Sequence, residues 1–117
     1  MALNAWKAQL RKGAAELAVL AALDHEESYG LVLLERINAA GGLDLSEGTI
    51  YPLLNRLQKE GKIRGRWEED PDATHPRKYY GLTGEGSALL AGMRAEWTQF
   101  EAGMRQLLDA EGRHDRT

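Results

Sequence analysis

The stretch LSEGTIYPLLNRLQKEGKI, residues 45–63, decides the fold of this chain and carries a proline at its centre. Ser46 is a residue type that caps helix N-termini, and Gly61 is the type that ends helices. Between them, apolar residues recur at the i, i+3, i+4, i+7 spacing of an amphipathic helix. This stripe comprises Ile50, Leu53, Leu54 and Leu57. The pattern predicts a helix with one side in a hydrophobic core.

The opposite side of this helix holds Gly48, Pro52, Asn55 and Lys59. A proline inside a helix costs about 3 kcal/mol because it loses a hydrogen bond and presses on the carbonyl four residues back. Here that residue is Gly48, in the first turn, where backbone groups lack helical partners anyway, so we expect a smaller cost. Gly48 and Pro52 leave a smooth surface that can approach a partner closely. A DNA major groove, about 12 Å wide, admits such a helix.

Two further helices are predicted before this one. The segment 10–23 is apolar on nearly all sides, as in a helix packed between other elements. Ser28 can cap a second helix, which Gly41 and Gly42 end. The residues with helical spacing in this second helix are Tyr29, Val32, Leu33 and Ile37.

A β-hairpin and a long helix are predicted after residue 61. From Lys62 the period becomes two, with Ile63 and Trp67 on one side of a strand. A charged loop, 68–76, leads to a returning strand, 77–82. Thr83 can cap a last helix to about Ala110, roughly 40 Å long. The aromatic residues Tyr29, Trp67, Tyr79 and Tyr80 are interpreted as core or hairpin packing.

This order of elements predicts a mainly α fold with a small β-hairpin, a winged helix-turn-helix followed by a long C-terminal dimerisation helix. We expect a winged-helix DNA-binding domain over 1–82, the dimerisation helix over 83–111 and a disordered tail over 112–117. The apolar residues of the last helix recur every three or four positions, as in a coiled-coil seam that needs a second chain. The predicted interface is Leu89, Leu90, Met93, Trp97, Phe100, Met104, Leu107 and Leu108.

Composition excludes several classes of protein. The chain of 117 residues has no cysteine, which rules out disulfides and thiolate chemistry. The longest apolar run, 14–23, is too short to cross a bilayer, and we expect a cytoplasmic protein. The net charge is -3, yet basic residues gather next to the central helix. Between positions 56 and 67 the cations are Arg56, Lys59, Lys62, Arg64 and Arg66.

No enzyme active site is predicted. His25, His75 and His114 lie in polar or terminal segments without the spacing of metal ligands or a catalytic pair. Asp70, Asp72 and His75 could together hold a metal, but a solvated wing tip is the preferred interpretation. We therefore expect no metal and no cofactor.

Double-stranded DNA is the partner that the central helix and its basic neighbours indicate. Asn55 can read a base edge, cations can read guanine or grip phosphate, and hydroxyls at the helix start can bind phosphate. The candidate contacts are Ser46, Gly48, Thr49, Tyr51, Pro52, Asn55, Arg56, Lys59, Arg64, Arg66, Arg77 and Lys78. An alternative is a winged-helix dimer that acts as a protein-interaction module without DNA binding, which the negative net charge permits.

These residues resemble the PadR family of bacterial transcriptional regulators, over about residues 10–90. The matching motifs are Tyr29-Gly30, Leu45-Ser46-x-Gly48-Thr49-Ile50-Tyr51-Pro52-Leu53-Leu54-x-Arg56-Leu57, Glu60-Gly61 and Arg77-Lys78-Tyr79-Tyr80-x-Leu82-Thr83-x-x-Gly86. The single C-terminal helix resembles the shorter subgroup.

The resemblance implies a winged-helix homodimer that binds a two-fold operator, usually as a repressor, with release by a small molecule in some members. Trp97 is similar in position to the tryptophan with which some multidrug-sensing members stack flat aromatic ligands, so Trp97 and Phe100 are candidate contacts for a small aromatic effector. The chain departs from the family pattern at Gly81, where an arginine or another large residue is common, and in the acidic run of its wing. That run is Glu68, Glu69, Asp70 and Asp72.

Overall fold

The structure, a computed structural model, describes residues 2–69 and 76–110. Its helices are α1 Ala2–His25, α2 Gly30–Ala39, α3 Glu47–Lys59 and α4 Gly84–Asp109, and its strands are β1 Ser28–Tyr29, β2 Ile63–Glu68 and β3 Arg77–Leu82. The strands form an antiparallel sheet in the order β1-β3-β2. The predicted fold class, mainly α with a small β-hairpin, is confirmed. The first helix is longer than predicted. The solvated wing tip predicted at Asp70, Asp72 and His75 and the tail predicted over 112–117 lie outside the described residues.

The core lies where α1, α2, α3 and the hairpin meet. Val19 and Leu20 of α1 are fully buried together with Leu33 of α2, and the predicted stripe of α3 faces them. In that stripe Ile50, Leu54 and Leu57 are inaccessible to solvent, whereas Leu53 packs at the margin. Burial of each such side chain contributes about 1.5–3 kcal/mol, which holds α3 against the domain by one side only.

The start of α2 differs from the prediction. Ser28 is not a helix cap but belongs to the short strand β1, where it pairs with Tyr80. Its hydroxyl accepts a hydrogen bond from Arg36 Nη1 at 3.0 Å. Val32 is also exposed, because the buried side of α2 is formed by Leu33, Leu34 and Ile37. The residue pattern alone did not reveal that the sheet recruits this segment before the helix begins.

A short turn sets the position of α3 relative to α2. Gly41 and Gly42 end α2 with positive φ values of 85° and 80°, which glycine adopts without a steric penalty. The amide of Asn38 then bridges to Leu45, donating to its carbonyl at 2.9 Å and accepting from its N–H at 2.8 Å. Ser46 caps α3 as predicted, since its Oγ accepts from the Thr49 N–H at 3.2 Å. These bonds hold the N-terminal end of α3 in one orientation.

The hairpin register defines two faces. Side chains alternate along a strand, so the pairs Gly65–Tyr80 and Trp67–Lys78 share one face, and Arg64–Gly81 and Arg66–Tyr79 share the other. We call the first the inner face, since it carries Ile63, Gly65, Trp67, Lys78, Tyr80 and Leu82, of which Ile63 and Tyr80 enter the core. The outer face carries Arg64, Arg66, Glu68, Arg77, Tyr79 and Gly81.

The structure confirms packing for three of the four aromatic residues and contradicts it for Trp67. Trp67 was expected to pack, but it is 69% exposed, because it lies on the inner face beyond the end of the core. The packing predicted for Tyr29 and Tyr79 is confirmed on the outer face, where their ring centroids are 3.9 Å apart. Tyr80 is buried, as predicted.

The junction between the hairpin and α4 is tightly built. The Thr83 hydroxyl lies 2.6 Å from the Gly61 carbonyl oxygen and 2.9 Å from that of Lys62, and it also accepts from the Gly86 N–H as the α4 cap. A Cβ at position 86 would lie 1.9 Å from the Lys62 carbonyl oxygen. Only glycine permits this approach, so Gly86 sets the position of α4 on the winged-helix core.

Candidate nucleic-acid interface

The side of α3 turned away from the core is open to solvent. Gly48, Pro52, Asn55 and Lys59 are all exposed, and an added Cβ at Gly48 would meet only the Ser46 Oγ, at 3.7 Å. The surface is therefore smooth at its N-terminal end and polar at its C-terminal end. No other described element covers it, which is the arrangement that contact with a duplex requires.

Arg56, on one flank of α3, forms ion pairs. Its guanidinium lies 2.7 Å from Glu16 Oε1 of α1 and 3.1 Å from Glu60 Oε1 on its own helix. The hydrogen bonds to Glu16 and then Glu60 raise the pKa of Arg56 above its ordinary value. Since a phosphate would have to compete with two carboxylates for this guanidinium, Arg56 is a less available contact than the sequence predicts. The cleft of about 870 Å³ between α1 and this flank also contains Gly48, Thr49 and Pro52.

Tyr51, on the other flank, packs over the start of α2. A Cβ at Gly30 would lie 2.7 Å from Tyr51 Cε1, so the ring occupies the space that a larger residue at position 30 would fill. Tyr51 remains 36% exposed. It can both hold the α2–α3 angle and present part of its ring to a ligand.

A shallow hollow at the C-terminal part of α3 is lined by Asn55, Gln58 and Lys59. Asn55 and Lys59 were predicted contacts, whereas Gln58 was missed. On a helical wheel Gln58 lies beside the core stripe, which is why the sequence pattern gave it no role. In the structure its side chain reaches the hairpin and lies over Gly65, as does that of Lys78.

The outer face of the hairpin carries several arginines in the sequence, but in the structure Arg64 and Arg66 form ion pairs with carboxylates. Glu27, from the segment between α1 and β1, lies 3.0 Å from Arg66 Nη2 and 3.3 Å from Arg64 Nη2. Glu68 forms a second ion pair with Arg66. The hydrogen bond from Arg66 is the largest of the effects that lower the pKa of Glu27. These carboxylates compete with phosphate for both arginines, which sequence spacing did not reveal because Glu27 is far away in the chain.

The remaining two cations of the wing lie on different faces. The Arg77 guanidinium lies 5.0 Å from the centre of the Tyr29 ring on the outer face. Lys78 Nζ lies 5.5 Å from the centre of the Trp67 ring on the inner face. Both geometries are those of cation–π contacts.

The apolar seam predicted on α4 divides into two parts. Leu90 is 2% exposed and belongs to the core of the single chain, so its prediction as a dimer contact is corrected. Leu89 and Met93 pack at the edge of the same core. Every residue of 94–109 is exposed, and Trp97 and Phe100 have ring centroids 5.7 Å apart on that surface. The exposed apolar residues are Trp97, Phe100, Met104, Leu107 and Leu108.

The helix α1 adds apolar surface that the sequence analysis did not assign. Leu3, Trp6 and Leu10 are exposed, because α1 begins well before the apolar segment that predicted it. Leu10 and Trp97 line one groove of about 860 Å³ between α1 and α4. The signal was present in the sequence as apolar residues three or four positions apart.

Two absences were found among residues 2–69 and 76–110. No cluster of three or more His, Asp or Glu side chains is placed to hold a metal ion. None of the four helices has the length and hydropathy to span a membrane.

A three-helix core with a hairpin after its third helix is the architecture of a winged-helix protein, and the exposed side of α3 occupies the position of a recognition helix. The chain belongs to the Transcriptional regulator PadR-like family, whose model matches residues 19–92. The resemblance stated from its motifs is thereby confirmed, and the protein is a PadR-family transcriptional regulator by family and fold.

Solved structures give the same result. A PadR-family transcriptional regulator from Eggerthella lenta is 32% identical, with 91% of each chain covered and a TM-score of 0.78. A PadR-like transcriptional regulator from Bacillus cereus is 36% identical, covering 86% of this chain and 96% of that one, with a TM-score of 0.76. A Streptococcus transcriptional regulator is 35% identical, covering 85% and 96%, with a TM-score of 0.74. A search of curated proteins found no significant match.

Proposed function

We propose that this protein is a cytoplasmic repressor that binds a two-fold DNA operator as a homodimer and inserts α3 into the major groove. The observation that carries the proposal is the exposed side of α3, which is smooth at Gly48 and Pro52 and polar at Asn55 and Lys59. A helix held by one side against a core, with its other side free, fits a groove about 12 Å wide. The negative net charge does not oppose this, because phosphate contacts depend on local charge.

Each part of α3 has a distinct proposed role. The first turn, with the Ser46 cap and the Thr49 hydroxyl, presents backbone N–H groups and the positive end of the helix dipole to phosphate. Asn55 reads a base edge, since its amide donates and accepts together. Lys59 contacts phosphate, while Tyr51 and Arg56 hold the flanks of the helix and add contacts at the groove edges.

The homodimer is proposed to form through the exposed part of α4. An apolar stripe that the described residues of its own chain leave exposed needs a partner, and the same helix of a second copy closes the interface by two-fold symmetry. The exposed Leu3, Trp6 and Leu10 of α1 extend this surface. We keep residues 83–111 as the dimerisation helix and 1–82 as the DNA-binding domain. The dimer must then hold two copies of α3 about 34 Å apart to reach successive major grooves.

A small aromatic effector is the proposed release signal. The groove between α1 and α4 has a volume within the range of about 300–1,000 Å³ that is common for small-molecule sites, and Trp97 and Phe100 line it. An effector bound there would act only by favouring one separation of the two α3 helices over another. Quenching of tryptophan fluorescence by a planar aromatic dye, lost in a Trp97→Phe variant, tests this part separately.

The DNA-binding proposal is tested by titrating salt against binding to a duplex from the region upstream of the protein's own gene. Each phosphate contact contributes about 0.9 to the slope of log affinity against log salt. We expect Lys59→Gln to reduce that slope by about 0.9. Arg105→Gln removes the same charge from an exposed ion pair on α4 and should leave the slope unchanged.

Asn55→Ala tests base reading in the same assay. We expect it to reduce the preference for this duplex over one of random sequence by about 5- to 150-fold, the value of one bidentate base contact. If Lys59→Gln and Asn55→Ala both bind as the parent does, α3 is not the recognition helix. Binding that is absent in the parent at every salt concentration would instead favour the alternative, a winged-helix dimer that contacts another protein.

A further inference from the structure

We propose that the wing contacts DNA through its inner face, with Trp67 and Lys78, and not through Arg64 and Arg66 of its outer face. The inference rests on the proposed function, because it assumes that α3 lies in a duplex. It adds a residue, Trp67, that the sequence pattern assigned to packing, and it removes Arg64 and Arg66 from the candidate contacts.

The inner face is continuous with the exposed side of α3. An added Cβ at Gly65 would lie 2.5 Å from Lys78 Cε and 3.1 Å from Gln58 Oε1, so both side chains lie over the glycine. Gln58 in turn shares a hollow with Asn55 and Lys59. A polar path therefore leads from the recognition surface of α3 across Gly65 to the wing. We therefore expect a duplex bound by α3 to lie nearer the inner face of the hairpin than its outer face.

Trp67 lies beside Lys78 on the inner face, farther from α3 than Gly65. They are direct partners across the two strands, and the Lys78 ammonium lies 5.5 Å from the centre of the Trp67 ring. The indole is exposed over 69% of its surface, an unusual position for the largest apolar side chain. A flat ring with one N–H donor, held beside a cation, is complementary to a deoxyribose and its phosphate. Because Lys78 gives this pair a positive charge, the pair favours a polyanion such as DNA over an apolar partner.

The arginine pair Arg64 and Arg66 on the outer face lacks this complementarity. Two guanidinium groups, Arg64 and Arg66, are bound by two carboxylates, Glu27 and Glu68, so the cluster has no net charge. Arg64 is held further by a bond of 3.0 Å from its Nη1 to the Leu82 carbonyl oxygen. A phosphate would gain no net attraction there unless it displaced a carboxylate.

Gly81 explains how Glu27 reaches this cluster. A Cβ at position 81 would lie 2.6 Å from Glu27 Oε2 and 3.0 Å from its Cγ. The side chain of Glu27 thus occupies the space that a larger residue would fill at this position. The glycine that departs from the family pattern is the residue that lets Glu27 pair with Arg64 and Arg66.

The experiment compares two variants that remove the same charge from opposite faces of the hairpin. The full-length parent, Lys78→Gln and Arg66→Gln are titrated by fluorescence anisotropy into a random-sequence duplex of about 30 base pairs, three helical turns, at several salt concentrations. We expect Lys78→Gln to lower the slope of log affinity against log salt by about 0.9, the value of one phosphate contact. Arg66→Gln removes no phosphate contact, so it should leave the slope unchanged.

Trp67→Ala is measured in the same way. Because the indole contact is not ionic, we expect a loss of about fivefold at every salt concentration, with an unchanged slope. Trp67→Phe keeps an aromatic ring and should recover most of this loss. All four variants replace exposed or half-exposed side chains, and thermal denaturation of each checks that the fold is intact.

The outcomes separate this inference from the proposed function. If the parent binds and Arg66→Gln weakens binding while Lys78→Gln and Trp67→Ala do not, the outer face contacts DNA and the inference is wrong. It is equally wrong if the parent binds and no wing variant changes binding, although α3 can then remain the recognition helix. A parent chain that binds no duplex at any salt concentration refutes the proposed function and this inference together.

Discussion

Replacing Gly86 by alanine tests the contact that joins α4 to the winged-helix core. The new Cβ would lie 1.9 Å from the Lys62 carbonyl oxygen, whereas real Cβ contacts shorter than 3.0 Å essentially never occur. The first turn of α4 and the start of β2 must therefore separate by more than about 1 Å. Because the obstacle is a backbone atom, a change of rotamer cannot relieve it.

The magnitude follows from two effects that destabilise the variant and one that stabilises it. Overpacking at a site that cannot relax costs about 1–3 kcal/mol. Separation also weakens the hydrogen bond that the single proton of the Thr83 hydroxyl shares between the Gly61 and Lys62 carbonyls, worth about 0.5–1.5 kcal/mol. Alanine recovers at most about 1 kcal/mol of helix propensity. We expect a net loss of about 1–4 kcal/mol in the free energy of unfolding.

The assay is urea denaturation followed by circular dichroism, repeated at several protein concentrations because the proposed dimerisation would add to the apparent stability. Gly84→Ala is the matched control, since Gly84 lies in the same helical turn with nothing within 4 Å of an added Cβ. We expect this control to be neutral or more stable by up to about 1 kcal/mol. Equal stability of Gly86→Ala, Gly84→Ala and the parent would refute the reasoning. It would mean that the first turn of α4 does not pack closely against the Lys62 carbonyl.

Three further predictions concern the pH dependence, the cap of α3 and the dimer. Arg66 and Arg64 lower the pKa of Glu27, so its stabilisation is fully present above the unfolded-state pKa, near 4.5, and is lost as pH falls through the lower folded-state pKa. Melting curves should show Glu27→Gln less stable than the parent at pH 7, with the difference vanishing below that folded-state pKa. Ser46→Ala removes the bond accepted from the Thr49 N–H and should cost about 1 kcal/mol in urea denaturation, and an unchanged midpoint would contradict the cap. Phe100→Glu should convert the proposed dimer to a monomer in sedimentation at micromolar concentration, while a dimer that survives this change must use another surface.

Sequence periodicity was sufficient wherever a residue's role depends on near neighbours in the chain. The core stripe of α3, its Ser46 cap, the glycines that end α2 and the Thr83 cap of α4 were all predicted and confirmed, because each acts within four residues. The motifs around them were also enough to assign the family, which the match over residues 19–92 confirms. The start of α2 was predicted wrongly because Ser28 pairs with a strand distant in sequence, which no local pattern reports.

Only the tertiary structure decided which charges and apolar side chains are available. In sequence Arg64 and Arg66 look free and Trp67 looks buried, and the packed chain reverses both, because Glu27 reaches the arginines from far away and the core ends before the indole. Leu90 and Leu107 belong to one helical seam by spacing, yet the first is buried within its own chain and the second is 74% exposed. Helical period determines which side a residue takes, whereas burial and ion pairing depend on what the folded chain brings to that side.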